Sequence, residues 1–392
     1  MIPLSLYIHL PWCVKKCPYC DFNSHEASVI PEDEYVDALL KDLRSHQQDC
    51  GNRAIDSIFI GGGTPNLFSP EAIARLLAGV RSTVSISHEA EVTMEANPGA
   101  IQGNTETGDQ FAGFRAAGIN RISLGVQSFS PRHLSTLGRI HTAEEAGAAY
   151  GSVRQAGINN VNLDLMHGLP GQTVTEALAD LETAIALGPE HISWYQLTIE
   201  PNTAFYKRPP QLPDEDTLWD IYDAGIHLLA AHGYQRYEVS AFALDGRRSR
   251  HNINYWEFGD YIGIGAGAHG KLSNAYGIMR TRKSRLPKDY LAGLAGLAGL
   301  AGANTHRQQV ETPDLPLEFM MNALRLVDGF NLKLFEQRTG LARAKIESFL
   351  QDARRRGLLI VDGDHCKPTA LGINHLNDML IAIEDPDTII RG

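Results

Sequence analysis

The run Ser57-Ile58-Phe59-Ile60-Gly61-Gly62-Gly63-Thr64-Pro65 takes an apolar, β-rich segment into three consecutive glycines and a Thr-Pro step. Such a segment reads as a buried strand that stops at a tight turn, where glycine lets the backbone approach another group closely. Similar β-rich runs lie on either side, at Ser5–Leu10, Glu91–Ala96, Arg121–Gln127, Val161–Met166 and His191–Leu197. Between them apolar residues recur near every 3.6 positions, as in Ile73, Leu76, Leu77 and Val80, or Leu178, Leu181 and Ile185. Each of these reads as a helix with one buried face.

Strands alternating with helices imply a parallel sheet with right-handed crossovers. Six such units build either an open doubly wound sheet or a partial barrel. The unusual residues favour the barrel: the cysteine loop, the glycine turn, Glu95, Gln127 and Asp164 each follow or end a strand. In a parallel barrel the strand C-termini open on one face, so residues spread over some 150 positions of sequence converge there. The fold expected is therefore α/β, a partial (β/α)6 TIM-like barrel over residues 1–230. A flanking region covers 231–304, and a smaller C-terminal domain covers 305–392.

In the flanking region Asp214 to His232 leads in as a helix, and Tyr234 to Leu244 reads as one further strand. Leu291 to Ala303 repeats Ala-Gly-Leu every three residues, out of step with a helix and costing about 1 kcal/mol per glycine there, so it reads as a linker or a mobile excursion. In the C-terminal part, Leu317–Val327, Leu332–Thr339 and Ala344–Leu359 read as helices. A strand at Leu359–Val361, an Asp362-Gly363 turn and a return strand complete a winged-helix-like pattern. Its basic run Arg354-Arg355-Arg356 suits a helix C-terminus better than a nucleic-acid contact, because the chain holds 35 basic and 46 acidic residues, a formal charge of −11. The sequence shows no leader pattern and no apolar run long enough to span a bilayer, which places the protein in the cytoplasm with no transmembrane segment, and the acidic charge opposes nucleic acid as a partner.

Three of the five cysteines, Cys13, Cys17 and Cys20, fall within eight positions, while Cys50 and Cys366 stand apart and read as buried thiols. Three thiolates on one short loop can each take an iron of a [4Fe–4S] cubane and leave the fourth iron open. Zinc is the rival. It wants a fourth protein ligand, for which His9 and His25 are nearest, and the spacing favours the cluster. Glu95 and Asp164 are acids in otherwise apolar strands, where an unpaired charge is costly. Structural salt bridges would explain either one alone.

The cysteine spacing, with Tyr19 before the third thiol, resembles the signature of the radical S-adenosylmethionine superfamily. Within it the chain is similar to the HemN/HemW group of oxygen-independent coproporphyrinogen dehydrogenases and haem chaperones. The resemblance rests on Tyr7 to Cys13, Gly61 to Pro65, Gly125 to Phe129 and Asp164 to Thr173, and extends over nearly the whole chain. It implies a [4Fe–4S] cluster on Cys13, Cys17 and Cys20, with S-adenosylmethionine chelating the open iron and an outside electron donor reducing the cluster so that a 5′-deoxyadenosyl radical is released. It also implies that Tyr7, Tyr19, Gly62, Gly63, Thr64, Glu95, Gln127, Arg139 and Asp164 surround S-adenosylmethionine. Gly61 to Pro65 would meet its amino group, the carboxylates its ribose, Arg139 its carboxylate and Tyr7 the sulfonium region.

His251-Asn252-Ile253-Asn254-Tyr255-Trp256 matches the His-Asn-x-x-Tyr-Trp motif associated with haem in the chaperone branch, which makes His251 the haem candidate. By itself a histidine among aromatics is more often a packed polar residue. The dehydrogenases carry a further cysteine two positions after the third cluster ligand, where this chain has Phe22, and an extension before the barrel. The resemblance therefore implies a chaperone passing haem to acceptor haemoproteins. The alternative is oxidative decarboxylation of coproporphyrinogen III.

Overall fold

The computed structural model describes residues 1–101, 107–295 and 305–384. Six strands deliver the expected frame: β1 (Leu4–Leu10), β2 (Ile55–Gly62), β3 (Ile86–Ala96), β4 (Arg121–Gln127), β5 (Val161–His167) and β6 (His191–Gln196). They lie side by side in chain order, all parallel. Helices α1 (Glu32–Ser45), α2 (Pro70–Thr83), α3 (Thr107–Ala117), α4 (Ala143–Gln155) and α5 (Val174–Leu187) make the crossovers. Two of them start from reciprocal caps, Thr142 with Glu145 and Thr173 with Glu176, each satisfying two donors that a helix start otherwise leaves bare.

Strand alternation sorts the side chains into two sets. Leu4, Leu6, Ile8 and Leu10 of β1 face the helices and are completely buried, in one cluster with Val36, Leu39 and Leu43 of α1. Ser5, Tyr7 and His9 point the other way, and so do Ser57 and Phe59, Glu91 and Glu95, Arg121 and Ser123, Asn162 and Asp164. Ser5 Oγ meets Ser57 Oγ at 2.7 Å, and the Tyr7 and Phe59 rings lie 6.3 Å apart. The hydrophobic gain of folding is thus made on the outer face, and the inside of the barrel is left polar.

Helix α6 (Glu215–Ala231) runs as expected from its cap, Asp214. Beyond it the sheet continues, and here the structure corrects the sequence reading. Tyr234 to Leu244 is not one strand but two, β7 (Gln235–Glu238) and β8 (Ala241–Ala243), folded back on each other, with β8 pairing antiparallel to β6. The Glu238 carboxylate accepts from the Ser240 N–H at 3.1 Å and fixes the reversal. Helix α7 (Arg250–Trp256) follows, and β9 (Asp260–Ile264) then pairs parallel to the free side of β1. Strands β10 (His269–Asn274), β11 (Gly277–Lys283) and β12 (Thr305–Gln309) extend that edge antiparallel. The sheet order is β12-β11-β10-β9-β1-β2-β3-β4-β5-β6-β8-β7, an open barrel.

The Ala-Gly-Leu stretch is also corrected in part. Leu291 to Ala295 belongs to helix α8 (Pro287–Ala295), whose Tyr290 is buried and donates to Asp42 Oδ2 at 2.7 Å. Burial of Leu291 and Leu294 against the main core outweighs the helix cost of Gly293. The rest of the repeat lies outside the described residues.

The C-terminal part has its own core around Phe319, Phe335 and Leu350. Its helices α9 (Leu315–Ala323), α10 (Leu332–Thr339) and α11 (Glu347–Arg355) are joined by a three-stranded sheet of β13 (Phe330–Asn331), β14 (Leu359–Asp362) and β15 (His365–Pro368). The first and third helices are shorter than their apolar spacing promised, and Arg343–Lys345 forms a separate 3-10 turn. Asp362 pairs with His365, so the tight turn is Gly363-Asp364, one residue later than expected. Arg355 and Arg356 pair with Asp352 within their own helix. Among the described residues no helix is long and apolar enough to cross a membrane.

Candidate functional site

The three clustered cysteines sit on a loop tied down from four directions. Its entry strand is held by the glycine turn, where Gly63 N–H donates to Leu10 O at 2.8 Å and Thr64 N–H to Trp12 O at 2.7 Å. Trp12 packs edge-on against Tyr35, 4.6 Å between rings. Phe205 N–H bonds Pro18 O, and Asn23 reaches the carbonyls of Ala266 and Arg285 at 3.0 and 2.9 Å. Within this frame Cys13, Cys17 and Cys20 are half-buried, whereas Cys50 and Cys366 are buried elsewhere, as expected of idle thiols.

The three thiols line one cavity of about 530 Å³ together with Tyr19, Gly62, Gly63, Thr64, Glu95, Gln127, Arg139 and Asp164. Eight of the nine residues set around S-adenosylmethionine by resemblance are thus brought together. The ninth, Tyr7, stands on a neighbouring cavity and hydrogen-bonds His9 at 2.9 Å. No histidine lines the cysteine cavity. His9, one of the two candidates for a fourth zinc ligand, is engaged on both ring nitrogens, by Tyr7 and by Asn23 O at 2.8 Å. Among the described residues no three His, Cys, Asp or Glu side chains converge on a single ion position. The donor set is three thiols around a shared space, which fits a cubane's separate corners better than one tetrahedral ion.

The glycine turn is used more economically than a bare reading of its sequence suggests. Gly62 has φ +116° and donates its N–H to Glu95 Oε2 at 3.0 Å. With Gly63 and Thr64 committed to the cysteine loop, all three N–H donors are taken. The turn offers carbonyl oxygens, the polarity an ammonium group requires. A Cβ on Gly62 would lie 2.5 Å from the His9 ring. Gly62→Ala should therefore cost about 1–3 kcal/mol, measurable as a lower urea midpoint for barrel unfolding, and an unchanged midpoint would contradict the strain.

Among the described residues Glu95 and Asp164 make none of the salt bridges that would have explained them structurally, although the Arg121 charge acts on Asp164 and pulls its pKa down. Asp164 accepts from Ser123 Oγ at 2.9 Å and Asn162 Nδ2 at 2.8 Å. Burial holds both carboxyls up, and the nearby Asp164 raises Glu95 further, to about 7. Two acids kept in a polar cavity with neutral donors but no ion pair suit a ligand that brings hydroxyls or a positive charge.

Gln127 holds φ +71°, rare for a residue with a side chain, at a bulge in the β4–β5 pairing. Its Oε1 accepts from Tyr195 O–H at 2.6 Å. Arg139 donates to Gly125 O at 2.6 Å and reaches Cys17 Sγ at 3.6 Å, so its charge serves the cysteine loop. Tyr19 packs toward Phe205 in a small apolar cluster and anchors the loop.

Helix α7 was legible as a motif, but its placement was not. Its residues four apart share a face. Asn252 and Trp256 line the cysteine cavity, while His251 and Tyr255 line the second cavity, of about 450 Å³, with Tyr7, Tyr261 and His269. The helix is a wall between the two. Its start is fixed by Glu91, buried on β3, whose Oε1 accepts from Arg250 N–H at 3.0 Å and His251 N–H at 3.4 Å. The His251 ring lies 5.0 Å from Phe59, with Nδ1 3.3 Å from Ser57 Oγ. Burial, then Arg121, pushes its pKa down to about 4, so the imidazole is neutral at physiological pH.

Sequence reasoning missed Glu91, Tyr195 and Arg325. Arg325 stacks over Trp256 at 4.5 Å and brings the C-terminal part to the cysteine cavity. A glutamate in an alternating strand was the one available signal for Glu91; nothing local marks the other two.

Comparison with known proteins agrees with this geometry. Residues 7–184 match the model of the radical SAM superfamily, and residues 310–374 match the HemN C-terminal domain. The chain belongs to the radical S-adenosylmethionine superfamily and, within it, to the HemN/HemW group. It is 49% identical over 380 residues to the heme chaperone HemW of Escherichia coli, covering 96% of this chain and 97% of that one. It is 48% identical to heme chaperone HemW of Haemophilus influenzae, over 96% of this chain and 97% of that one. The fold is that of the coproporphyrinogen III oxidase HemN of Escherichia coli, with a TM-score of 0.80 at 24% identity over 97% of this chain and 90% of that one. Membership implies a [4Fe–4S] cluster and S-adenosylmethionine.

Proposed function

We propose that this protein is a haem chaperone. It carries a [4Fe–4S] cluster on Cys13, Cys17 and Cys20 with S-adenosylmethionine beside it, binds haem through His251, and passes haem to acceptor haemoproteins in the cytoplasm, with an electron donor serving the cluster. The observation that carries this is helix α7, one helix presenting His251 and Tyr255 to an aromatic cavity and Asn252 and Trp256 to the cysteine cavity. The names of the full-length relatives support the same reading. We divide the chain accordingly into a barrel over 1–230, a segment bearing the haem motif over 231–304 and a C-terminal module over 305–392.

When bound, the cluster and S-adenosylmethionine supply one-electron chemistry. The chain's own part is positional. The glycine turn offers carbonyl oxygens to the methionine amino group, Glu95 and Asp164 face the ribose hydroxyls and sulfonium charge, and Gln127 and Arg139 hold the far wall. Gly62 and Glu95 stand where the two cavities meet, and Tyr7 lies on the aromatic side. His251, held neutral, offers a ring nitrogen to iron.

Haem titration of anaerobically reconstituted protein tests the proposal: stoichiometric uptake without turnover of coproporphyrinogen III is expected, and oxidative decarboxylation of that porphyrinogen would replace it with the dehydrogenase reading. Phe22, standing where the dehydrogenases carry a further cysteine, favours the chaperone. A pH series gives a second check. Glu95 titrates near 7, so S-adenosylmethionine affinity should rise as pH increases through that value and the carboxylate becomes charged. Glu95→Gln should flatten the dependence; a slope that survives the substitution assigns the proton elsewhere.

A further inference from the structure

The aromatic cavity has a rim of unusual charge for so acidic a protein. Its inner wall is rings: Tyr7, His251, Tyr255 and Tyr261, with Tyr255 and Tyr261 5.2 Å apart between centroids. Its outer side is the β10–β11 pair. His269 on β10 lines the cavity and sits opposite Arg282 on β11. Arg280, two residues along the same face, donates to the Tyr261 hydroxyl at 3.0 Å and is paired with Glu318. Arg285, just beyond β11, lines the cavity and is exposed. Neither Arg282 nor Arg285 has a carboxylate partner among the described residues. After burial, all three guanidinium groups act to lower the His269 pKa, a sign of how close they stand to the mouth.

An apolar, ring-lined cavity edged by two free guanidinium groups is complementary to a flat aromatic ligand with carboxylates on one side. Glu95, the one acid among its lining residues, is shared with the cysteine cavity, whereas the β10–β11 rim carries positive charge. We propose that Arg282 and Arg285 are specificity-determining residues that take the two carboxylates of a tetrapyrrole whose macrocycle lies among Tyr7, His251, Tyr255 and Tyr261. This deepens the haem reading of the same site and rests on it. It assigns orientation: the carboxylate edge points outward at β10–β11, and the ring centre faces α7.

The test separates carboxylate recognition from iron ligation by using iron-free probes. Full-length, cluster-reconstituted protein is titrated by fluorescence with protoporphyrin IX and with its dimethyl ester, both delivered from the same detergent. The wild type should bind the diacid roughly tenfold more tightly than the ester, the scale of one or two charge-assisted hydrogen bonds. The Arg282→Gln/Arg285→Gln double variant should lose that preference while keeping its ester affinity and the cluster's absorbance. Equal binding of both probes by the wild type, or a preference undiminished in the variant, overturns the assignment and leaves haem uptake through His251 standing. Displacement of the porphyrin by S-adenosylmethionine beyond one equivalent would give the cavity to that cofactor and also overturn it. If the wild type takes up neither haem nor porphyrin, the chaperone reading falls, and the rim assignment with it.

Discussion

Replacing Cys13, Cys17 and Cys20 together with serine should leave the protein folded but unable to hold iron and sulfide after anaerobic reconstitution, with S-adenosylmethionine binding lost as well. The physical reason is that thiolate is the ligand a cubane needs, and a serine hydroxyl stays protonated near neutral pH. Fold retention is expected because the loop is held by backbone bonds from Gly63, Thr64, His25 and Ala27, none of which passes through a sulfur. Single substitutions should differ in degree. Cys17 has the Arg139 guanidinium at 3.6 Å, so its loss also strips Arg139 of one partner. Iron and sulfide content, visible absorbance and circular dichroism decide the matter; full cluster content in the triple variant would end the assignment.

The second large effect is expected at α7. His251→Ala should weaken haem binding by about two orders of magnitude or more, because removing a metal ligand exceeds the 10–100-fold that loss of a ligand's supporting partner costs. Glu91→Gln, which leaves the ligand but loosens the helix start, should fall within that smaller range. The cluster's absorbance should be unchanged in both, since neither residue lines the cysteine cavity. The pH dependence follows from the depressed pKa of His251. A lowered pKa keeps the imidazole neutral until acid approaches about 4, so haem affinity should stay flat from pH 8 down to 5, whereas an ordinary exposed histidine would lose affinity through its usual value near 6.5. Haem titrations across that range check both points, and undiminished affinity in His251→Ala would remove the residue from the site.

The C-terminal part touches the site through Arg325, which stacks on Trp256 and lines the cysteine cavity. Its carbon chain and charge sit against an indole that α7 turns toward the cluster loop. The site is thus completed by a residue some 300 positions from the first cysteine.

What the sequence determined by itself is the repeating βα frame and the family, with the cofactors that membership implies. Alternation in β1 and β2, the 3.6 spacing in α2 and α5 and the close cysteine spacing are local properties, and local patterns are fixed by neighbours in the chain. That is also why the strand at Tyr234 to Leu244 was misread: the Glu238–Ser240 bond that folds it back is a side-chain choice with no signature in hydrophobic pattern. Likewise, burial of Tyr290 and its neighbours carried α8 into a stretch whose composition speaks against a helix. Only the tertiary structure decided which residues share a cavity. It separated Tyr7 from the cysteine space, set Glu95 and Asp164 near each other without an ion pair among the described residues, and made α7 a wall between two chambers. Those facts depend on how strands distant in sequence curl toward one another, because a side chain's neighbours across a barrel are set by register and curvature, which no single segment encodes.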